Sequence, residues 1–473
     1  MRGVQHRHIY HLLPLVAAAL VAAVLIAIMA IAATAQEPLD SKVEAFLSLQ
    51  LQGLNQLTTR AASQSSDSSE TDAARRERAA ALIDEAMLIS NFTRQTFGSY
   101  VEDVLEDGEQ YFDDARWELL LRTHREQLQN ALRNRLVTDL LRFAGNLGEF
   151  ELVSWQEESK KRSTAVIANG DRQFTCHLSR VDGGEWIVDD VSVDSVRLSQ
   201  HYRALGRDIL RKRYSPEVLE ARLEETPFIR IEDFSATPAG QLPRGWGWRS
   251  KNEDHEKLYE VQRDGSSSYL AAQDSGASVI LMRAAHWNPR SHPIMTWCWR
   301  ADALPPGGDE RYDKTNDSVA GIYVFYSQNW FRVPKHIKYV WSSTLAEGTV
   351  GRRNKIFRPF FFVAESGAAS AGQWVFEVVD LEAAHKQVYG GKPKSRTVGL
   401  GILTDANSTH SFAEAFYADI RVWPRSALEQ GLITDYCHCS DSSDSPVAES
   451  PIADPDCTPL PTSVKTVSAR AQQ

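Results

Sequence analysis

The chain has 473 residues, a formal net charge of −10 and 42% hydrophobic residues, a composition typical of two or three globular units. Its acidic balance argues against a nucleic-acid-binding protein, and its five cysteines are too few for a disulfide scaffold. The sequence contains no Walker loop, no H-E-x-x-H and no G-x-S-x-G motif, so the commonest enzyme signatures are missing.

The amino-terminal residues predict export from the cytoplasm. Residues 12–33 form an uncharged apolar run that follows Arg2 and Arg7. Such a run is about 30 Å long as a helix, enough to cross a bilayer, and the preceding arginines favour a cytoplasmic amino terminus. An A-x-A cleavage site ends at Ala35. Residues 1–35 are therefore either a signal peptide or a membrane anchor, and both alternatives place the remaining chain outside the cytoplasm.

The next segments differ sharply in pattern. Residues 36–72 contain the polar stretch SQSSDSSETD and are predicted to be a flexible linker. Helical patterns follow at 73–90 and 113–143, then strand patterns at 150–155, 164–168, 172–178 and 185–188, then helical patterns at 197–212 and 216–223. Short turn signals between the strands favour an antiparallel meander. Residues 73–223 are thus predicted to form an α+β domain, with helices on a four-stranded antiparallel sheet.

The second half of the chain is rich in short strand patterns and tryptophan. After a connector at 224–230, residues 231–424 predict an all-β, jelly-roll-like sandwich. Residues 435–473 are rich in Ser, Pro and Asp and are predicted to be a disordered tail.

Several side chains of the predicted sandwich have two interpretations. The acidic loop at 309–317 and the segment at 405–407 are either Ca²⁺ ligands or solvated turns. Trp246, Trp248 and Trp330 either stack on sugars or fill the core. Glu377 and Asp380 are three apart, so their side chains point to opposite faces of one strand and cannot form a hydrolytic carboxylate pair. The sequence therefore predicts no enzymatic activity and no metal or other cofactor.

The cysteines are predicted to play structural roles. Cys176 and Cys298 lie in apolar strand patterns and are predicted to be buried free thiols. Cys437 and Cys439 lie near the carboxyl terminus with Cys457, and the expectation is a disulfide to Cys457 within the tail, with Zn²⁺ binding as the alternative.

Residues 73–223 resemble a known family in an ordered set of short motifs. The matching residues are Asn91-Phe92, Phe97-Gly98-Ser99-Tyr100, Trp186-Ile187-Val188-Asp189-Asp190-Val191, Val196-Arg197-Leu198 and Tyr202-Arg203. In these the segment resembles the MlaC-like (toluene-tolerance auxiliary) family of periplasmic phospholipid carriers. The resemblance implies a periplasmic lipid-binding or lipid-transport component of an Mla-type ABC system, with an inner-membrane ABC transporter complex as a partner. The protein would be anchored by residues 12–33 or released after cleavage near Ala35.

The same resemblance implies that acyl chains lie between the sheet and the helices. The residues predicted to line that space are Phe92, Phe97, Val101 and Leu105 on the helices, and Val153, Trp155, Val166, Phe174, Trp186 and Val188 on the strands. The alternative is that these side chains simply fill a core. Arg94, Arg197 and Arg203 either contact a headgroup phosphate or lie on solvated helix faces.

The sandwich region resembles a second bacterial family, one of unknown function with a concanavalin-like fold. The matching residues are Trp297-Cys298-Trp299-Arg300-Ala301-Asp302, Tyr339-Val340-Trp341-Ser342, Trp374-Val375-Phe376-Glu377 and Ile402-Leu403-Thr404-Asp405-Ala406-Asn407. This resemblance implies a fold and no activity. The resulting expectation is a phospholipid-binding protein with an added sandwich module that binds glycan, lipid or an envelope protein. The alternative is an envelope glycan-binding or structural interaction protein that carries no lipid.

Overall fold

The computed structural model describes residues 72–106, 112–144, 151–169, 172–180, 186–193, 195–248, 258–265, 267–328, 334–353 and 359–437. The predicted membrane segment 12–33, the cleavage site at Ala35, nearly all of the predicted linker and most of the predicted tail lie outside the described residues. No helix within these ranges combines the length and apolar character that a membrane crossing requires.

The chain forms two compact units that are discontinuous in sequence. The first contains residues up to 100, 126–211 and 222–224, and the second contains 101–125, 212–221 and everything from 225 onward. The sequence-based prediction treats 73–223 as one domain, whereas the structure distributes that range over both units.

The first unit combines helices with an antiparallel meander. Its helices are α1 (Asp72–Ala86), α2 (Ile89–Phe97), the second half of α4 (Asp114–Ala144), α5 (Leu198–Leu205) and most of α6 (Arg207–Lys212). Its strands, in sheet order, are β1 (Glu151–Ser159), β2 (Arg162–Asn169), β3 (Arg172–Arg180), β4 (Trp186–Val193) and β5 (Val196–Arg197). The predicted antiparallel meander is confirmed, with a short fifth strand that the prediction missed.

A buried carboxylate joins the sheet of the first unit to its helices. Asp190 on β4 accepts hydrogen bonds from the Ser199 hydroxyl at 2.6 Å and from the Ser199 amide at 3.2 Å. Because Ser199 lies in the first turn of α5, the carboxylate satisfies an amide that the helix itself leaves without a partner. The Gln95 side chain of α2 donates to the same carboxylate at 3.0 Å.

The second unit is a sandwich of two six-stranded sheets. One sheet has the order β15-β10-β17-β8-β7, with β6 paired to β17, and the other has the order β13-β14-β12-β11-β16-β9. The strands are β6 (Ile229–Glu232), β7 (Tyr259–Asp264), β8 (Ser267–Asp274), β9 (Leu281–Ala284), β10 (Ile294–Ala303), β11 (Ala320–Gln328), β12 (Pro334–Ser342), β13 (Val350–Arg352), β14 (Phe360–Ser366), β15 (Val375–Asp380), β16 (Gly399–Ile402) and β17 (Ala413–Trp423). The remaining helices are α3 (Tyr100–Leu105), α7 (Pro216–Glu224), α8 (Leu381–Tyr389) and α9 (Arg425–Glu429).

Side chains that point inward at alternate positions of the strands fill the space between the two sheets. Trp297 and Trp299 on β10 belong to one buried cluster with Tyr339 and Trp341 on β12. Their rings lie 5.9 Å apart in each facing pair, as expected of side chains from two stacked sheets. The predicted sandwich is therefore present, although β12 and β14 pair in parallel, so the second sheet is mixed.

A buried cluster of charged side chains joins the edge of the second sheet to α7 and β6. Arg283 on β9 forms salt bridges with Glu217 on α7 and with Glu232 on β6. Glu232 also accepts from Trp246 Nε1 at 2.7 Å. Desolvating these charges is costly, and their mutual pairing together with the extra hydrogen bonds offsets that cost.

The prediction of a free Cys298 is wrong, because Cys298 forms a disulfide with Cys437. Trp297 and Trp299 both face the core, so Cys298 between them faces outward. The segment that carries Cys437 lies on this outer surface, which also corrects the predicted start of the tail at 435. Cys439 and Cys457 lie outside the described residues. Cys176 is a buried free thiol, as predicted.

Tyr436 explains why the carboxyl-terminal segment lies on the sandwich. Its ring packs 4.8 Å from that of Phe376, and its hydroxyl donates to the Asp419 carbonyl at 2.8 Å. The Thr296 hydroxyl of β10 lies 2.8 Å from the Tyr436 hydroxyl oxygen. These contacts bring Cys437 beside β10 and make the disulfide geometrically possible.

We predict that the Cys298–Cys437 disulfide stabilises the protein by about 2–4 kcal/mol, because it restricts the unfolded chain across a sequence separation of 139 residues. Guanidinium unfolding of the purified protein with and without reductant measures this difference. The double variant Cys298→Ser/Cys437→Ser is the control and should be insensitive to reductant. Equal stability of the wild-type protein in both conditions would contradict the prediction.

Candidate functional site

Four of the predicted lipid-lining residues are buried in the first unit. Phe92 and Phe97 lie on α2, Phe174 lies on β3 and Val188 lies on β4. The Phe92 ring makes an edge contact with Tyr202 of α5 at 6.4 Å. Burial is required equally of a filled core and of an acyl-chain site, so the lining role of these four side chains stays a prediction.

The other predicted lining residues belong to the second unit, are partly exposed, or have side chains outside the described part of the structure. Val101 and Leu105 are buried on α3 but belong to the second unit. Val166 on β2 is half-buried, and the side chain of Val153 on β1 is 53% exposed. Trp155 lies on β1 and Trp186 on β4, and their side chains are outside the described part of the structure.

The second unit contains a cleft of about 160 Å³ that the sequence did not predict. Its lining residues are Ile280, Glu310, Asn316, Tyr323, His336, Lys338, Arg353, Pro359 and Phe361. The strand residues among them come from β11, β12 and β14, which are neighbours in the second sheet.

Register places the cleft on the outer face of that sheet. Tyr323 on β11 is directly opposite Lys338 on β12, and Lys338 is opposite Phe361 on β14. Side chains at paired positions lie on the same face of a sheet. The adjacent residues Ile322 and Tyr339 belong to the buried core between the sheets, so Tyr323 and Lys338 face away from it.

Two rings that line the cleft, those of Tyr323 and His336, pack against each other and against the neighbouring Phe325 ring. The Tyr323 ring lies 6.1 Å from the Phe325 ring at an interplanar angle of 11°. The His336 ring lies 6.1 Å from Tyr323 and 5.3 Å from Phe325, each at 30°. His336 is held in turn by its backbone, because Tyr389 Oη donates to its carbonyl at 2.9 Å. The rings therefore form a preorganised stacked surface.

Lys338 is a cation almost completely removed from solvent, with 3% of its surface exposed. Its Nζ donates to Ser318 Oγ at 2.9 Å, and Ser318 Oγ donates to Glu310 Oε1 at 2.8 Å. The other carboxylate oxygen of Glu310 accepts from Ser342 Oγ at 2.7 Å. This chain of hydrogen bonds fixes the ammonium and compensates its charge through the carboxylate.

A glycine allows the lysine to lie along the sheet. A Cβ atom at Gly321 would lie 2.7 Å from Lys338 Cε, closer than two such carbons can approach. Any larger residue at position 321 would displace the Lys338 side chain. On another side of the cleft Arg353, whose side chain is 15% exposed, pairs with Asp313 at 3.2 Å.

Burial changes the ionisation of the groups around the lysine. It raises the pKa of Glu310, and the nearby Lys338 ammonium partly opposes that effect. Burial likewise raises the pKa of Tyr323. The cleft thus offers ammonium, guanidinium, imidazole and amide groups beside aromatic rings, an arrangement suited to binding a small polar ligand.

Other sequence candidates have structural partners. Asp317 accepts from the backbone amides of Ser408 and Thr409, and Asp309 pairs with Arg311. Trp246 and Trp248 belong to the hydrophobic core cluster of the sandwich rather than to a sugar platform, and Trp330 lies outside the described residues.

The two carboxylates considered for hydrolysis also have structural roles. Glu377 is buried and accepts from Trp299 Nε1 at 3.2 Å. Asp380 caps α8 by accepting from the Ala383 amide at 3.0 Å.

Sequence reasoning missed Tyr323, His336 and Lys338. The available signal was the run His336-Ile337-Lys338-Tyr339-Val340, in which a lysine occupies an alternate position of an apolar strand. In a β-strand such a position faces away from the core. The partner loop that makes this outward face a cleft comes from residues 310–318, and that proximity is not visible in the sequence.

We predict that the stability of the Glu310→Gln variant, measured relative to the wild-type protein, is more favourable at pH 7 than at pH 4. Folding favours the neutral form of a buried carboxyl with a raised pKa, so wild-type stability falls as pH rises above 4.5 through the folded-state pKa. Urea unfolding at both pH values measures the difference. Glu347→Gln, at an exposed carboxylate, is the control. An equal effect of Glu310→Gln at both pH values would rule out the raised pKa.

Comparison with known proteins assigns a family only to part of the chain. Residues 245–421 match a family described as "Protein of unknown function (DUF3047)". No curated protein matches the chain.

Similar solved structures fall into two groups. A phospholipid-binding protein from Ralstonia solanacearum, in complex with a phospholipid, is 14% identical with a TM-score of 0.27, and the match covers 38% of this chain and 94% of that chain. The xyloglucanase domain of NopAA from Sinorhizobium fredii, in complex with cellobiose, is 11% identical with a TM-score of 0.24, covering 40% and 98%. The carbohydrate recognition domain of Emp47p is 13% identical with a TM-score of 0.19, covering 41% and 93%. At these values none of the three proteins assigns a function to this chain.

Proposed function

We propose that this chain is an extracytoplasmic binding protein whose sandwich unit binds carbohydrate in the cleft on its second sheet. The observation that carries the proposal is the cleft itself, in which the rings of Tyr323 and His336 lie beside the buried Lys338. A sugar ring has apolar C–H faces that pack on aromatic rings and hydroxyl groups that need hydrogen-bond partners.

The size of the cleft limits what it holds. Its volume of about 160 Å³ is smaller than the roughly 300–1,000 Å³ of pockets for drug-sized ligands. One sugar ring of a longer glycan suits this space. The proposed function is binding without chemical turnover, because the carboxylate of Glu310 is held by both Ser318 and Ser342.

The disulfide supports a location outside the cytoplasm. Disulfides persist in oxidising compartments such as the bacterial periplasm and are rare in the cytosol. Together with the apolar segment at 12–33, the Cys298–Cys437 bond leads us to propose a periplasmic protein. The protein would be either anchored in the inner membrane by that segment or released after cleavage near Ala35.

We predict that the purified full chain binds at least one glycan in a screen of bacterial envelope glycans, and that His336→Ala weakens this binding about two- to tenfold. Loss of one ring from the stacked wall removes an aromatic contact of about 0.5–1.5 kcal/mol. Titration of the wild-type protein and the variant with the selected glycan measures the change. His292→Ala, outside the cleft, is the control, and failure of the wild-type protein to bind any glycan would refute the proposal.

Phospholipid binding by the first unit is a second proposed function. It is supported by three buried side chains of the first unit, Phe92 and Phe97 on α2 and Phe174 on β3, which supply apolar surface of the kind that an acyl chain needs. A wetted acyl chain costs roughly 0.8 kcal/mol per CH₂, so a lipid crossing an aqueous compartment needs an apolar site of this kind. In this proposal the protein serves an Mla-type system, with an inner-membrane ABC transporter complex as its partner.

We predict that the delipidated protein binds a fluorescent phospholipid, and that Phe97→Asp or Val188→Asp weakens this binding at least about tenfold, because a carboxylate is costly in an apolar layer. Fluorescence titration measures the affinity, and circular dichroism checks that each variant is folded. Leu88→Asp, at a side chain that is 43% exposed, is the matched control. Purification without lipid, combined with no binding on titration, would contradict this second function.

A further inference from the structure

The charged groups that line the cleft are unequal in sign. Lys338, Arg353 and His336 bring positive or protonatable groups to its wall, whereas Glu310 is the carboxylate of that wall. Glu310 has both oxygens engaged by serine hydroxyls, at 2.8 and 2.7 Å. Among the residues that line the cleft, Lys338 and Arg353 are cationic, and Glu310 is a carboxylate whose oxygens accept from serine hydroxyls.

Lys338 is placed to recognise an anion. Its Nζ has three N–H donors, one of which is directed to Ser318 Oγ at 2.9 Å, and the Tyr323 side chain is a second hydrogen-bond partner. The ammonium lies 5.6 Å from the centroid of the Tyr323 ring, so a ligand stacked on that ring also lies close to the charge. A hydrogen bond between two charged groups in a site of low solvent exposure is about twice as strong as one between neutral groups.

The carboxylates described near Lys338 and Arg353 have hydrogen-bond or ion-pair partners. Asp405 contributes an electrostatic attraction to Lys338, and burial raises the pKa of Asp405 as it does for Glu310. Asp313 forms its salt bridge with Arg353 at 3.2 Å.

We propose that the cleft selects a sugar that carries a carboxylate, which the Lys338 ammonium and the Arg353 guanidinium bind while the sugar ring packs on Tyr323 and His336. This inference rests on the proposed carbohydrate function and specifies its ligand class. The fixed positions of the two cations distinguish an acidic sugar from its neutral counterpart, because only the acid replaces the water lost from the cations with a charged acceptor.

The test uses pairs of single sugars that differ in the carboxylate-bearing group. These are glucuronate with glucose, galacturonate with galactose, and N-acetylmuramate with N-acetylglucosamine. Each is titrated into the purified full chain, and the dissociation constant is measured by ligand-observed NMR. We expect at least one acid to bind about 10- to 100-fold more tightly than its neutral partner, the range that a charged hydrogen bond gives.

Variants connect that preference to the cleft. Lys338→Met keeps the long unbranched side chain beside Gly321 and removes the charge, and it should reduce the acid preference to less than about twofold. Lys335→Met removes an exposed lysine from the same strand and should leave the preference unchanged. Arg353→Gln provides an independent test should Lys338→Met fail to fold, and it should lower the preference at least threefold.

The outcomes separate the two proposals. Equal binding of acidic and neutral sugars would overturn the acid preference and leave the carbohydrate function in place. An acid preference that survives both Lys338→Met and Arg353→Gln would also overturn the inference. Absence of binding for all six single sugars would overturn the inference, whereas the screen of envelope glycans decides the carbohydrate function.

Discussion

A single ammonium group, Lys338 Nζ, organises the outer face of the second sheet. A charge removed from water is costly unless it is paired and hydrogen-bonded. Only 3% of the Lys338 surface is exposed, so its ammonium needs such partners. The serine–carboxylate chain through Ser318 and Glu310 provides this compensation. That requirement ties the loop at 310–318 to β12 and so forms one side of the cleft. The cleft and the compensation of the lysine are thus one structural feature.

The rest of the sandwich keeps this feature rigid. Tryptophan and tyrosine side chains from both sheets fill the space behind β11 and β12, so the strands that carry Tyr323 and Lys338 have a closely packed base. At the sheet edge, Arg283 is paired with Glu217 and Glu232, which joins β9 to α7 and β6. On the opposite sheet the disulfide to Cys437 fixes the carboxyl-terminal segment. The proposed binding site, supported in this way, would need little reorganisation when a ligand enters, which favours affinity.

The sequence predicted elements much better than it predicted the site. The meander at 151–193 and the long helix Asp114–Ala144 follow from simple periodicity, because each element shows its own hydrophobic repeat. Periodicity also separated the α+β region from the β-rich region. It could not reveal that residues 101–125 belong with the sandwich, since membership of a compact unit depends on long-range packing.

The errors have the same physical origin. Cys298 was expected to be free because it lies in an apolar strand, yet it faces outward between two inward tryptophans and meets a distant segment. Val153 was expected to line an apolar space, but its strand lies at the edge of the sheet, where side chains are exposed. Lys338 attracted no attention because one lysine in a strand usually faces solvent. Its importance depends on Glu310 and Ser318, which approach only in the folded chain.

The most direct test of the central claim, that the outer face of the second sheet is a ligand site, is a crystal structure of the protein grown with its tightest-binding sugar. The account predicts a sugar ring against Tyr323 and His336, with an acceptor oxygen within about 3.2 Å of Lys338 Nζ. A sugar bound elsewhere on the protein, with the cleft holding only water, would contradict it.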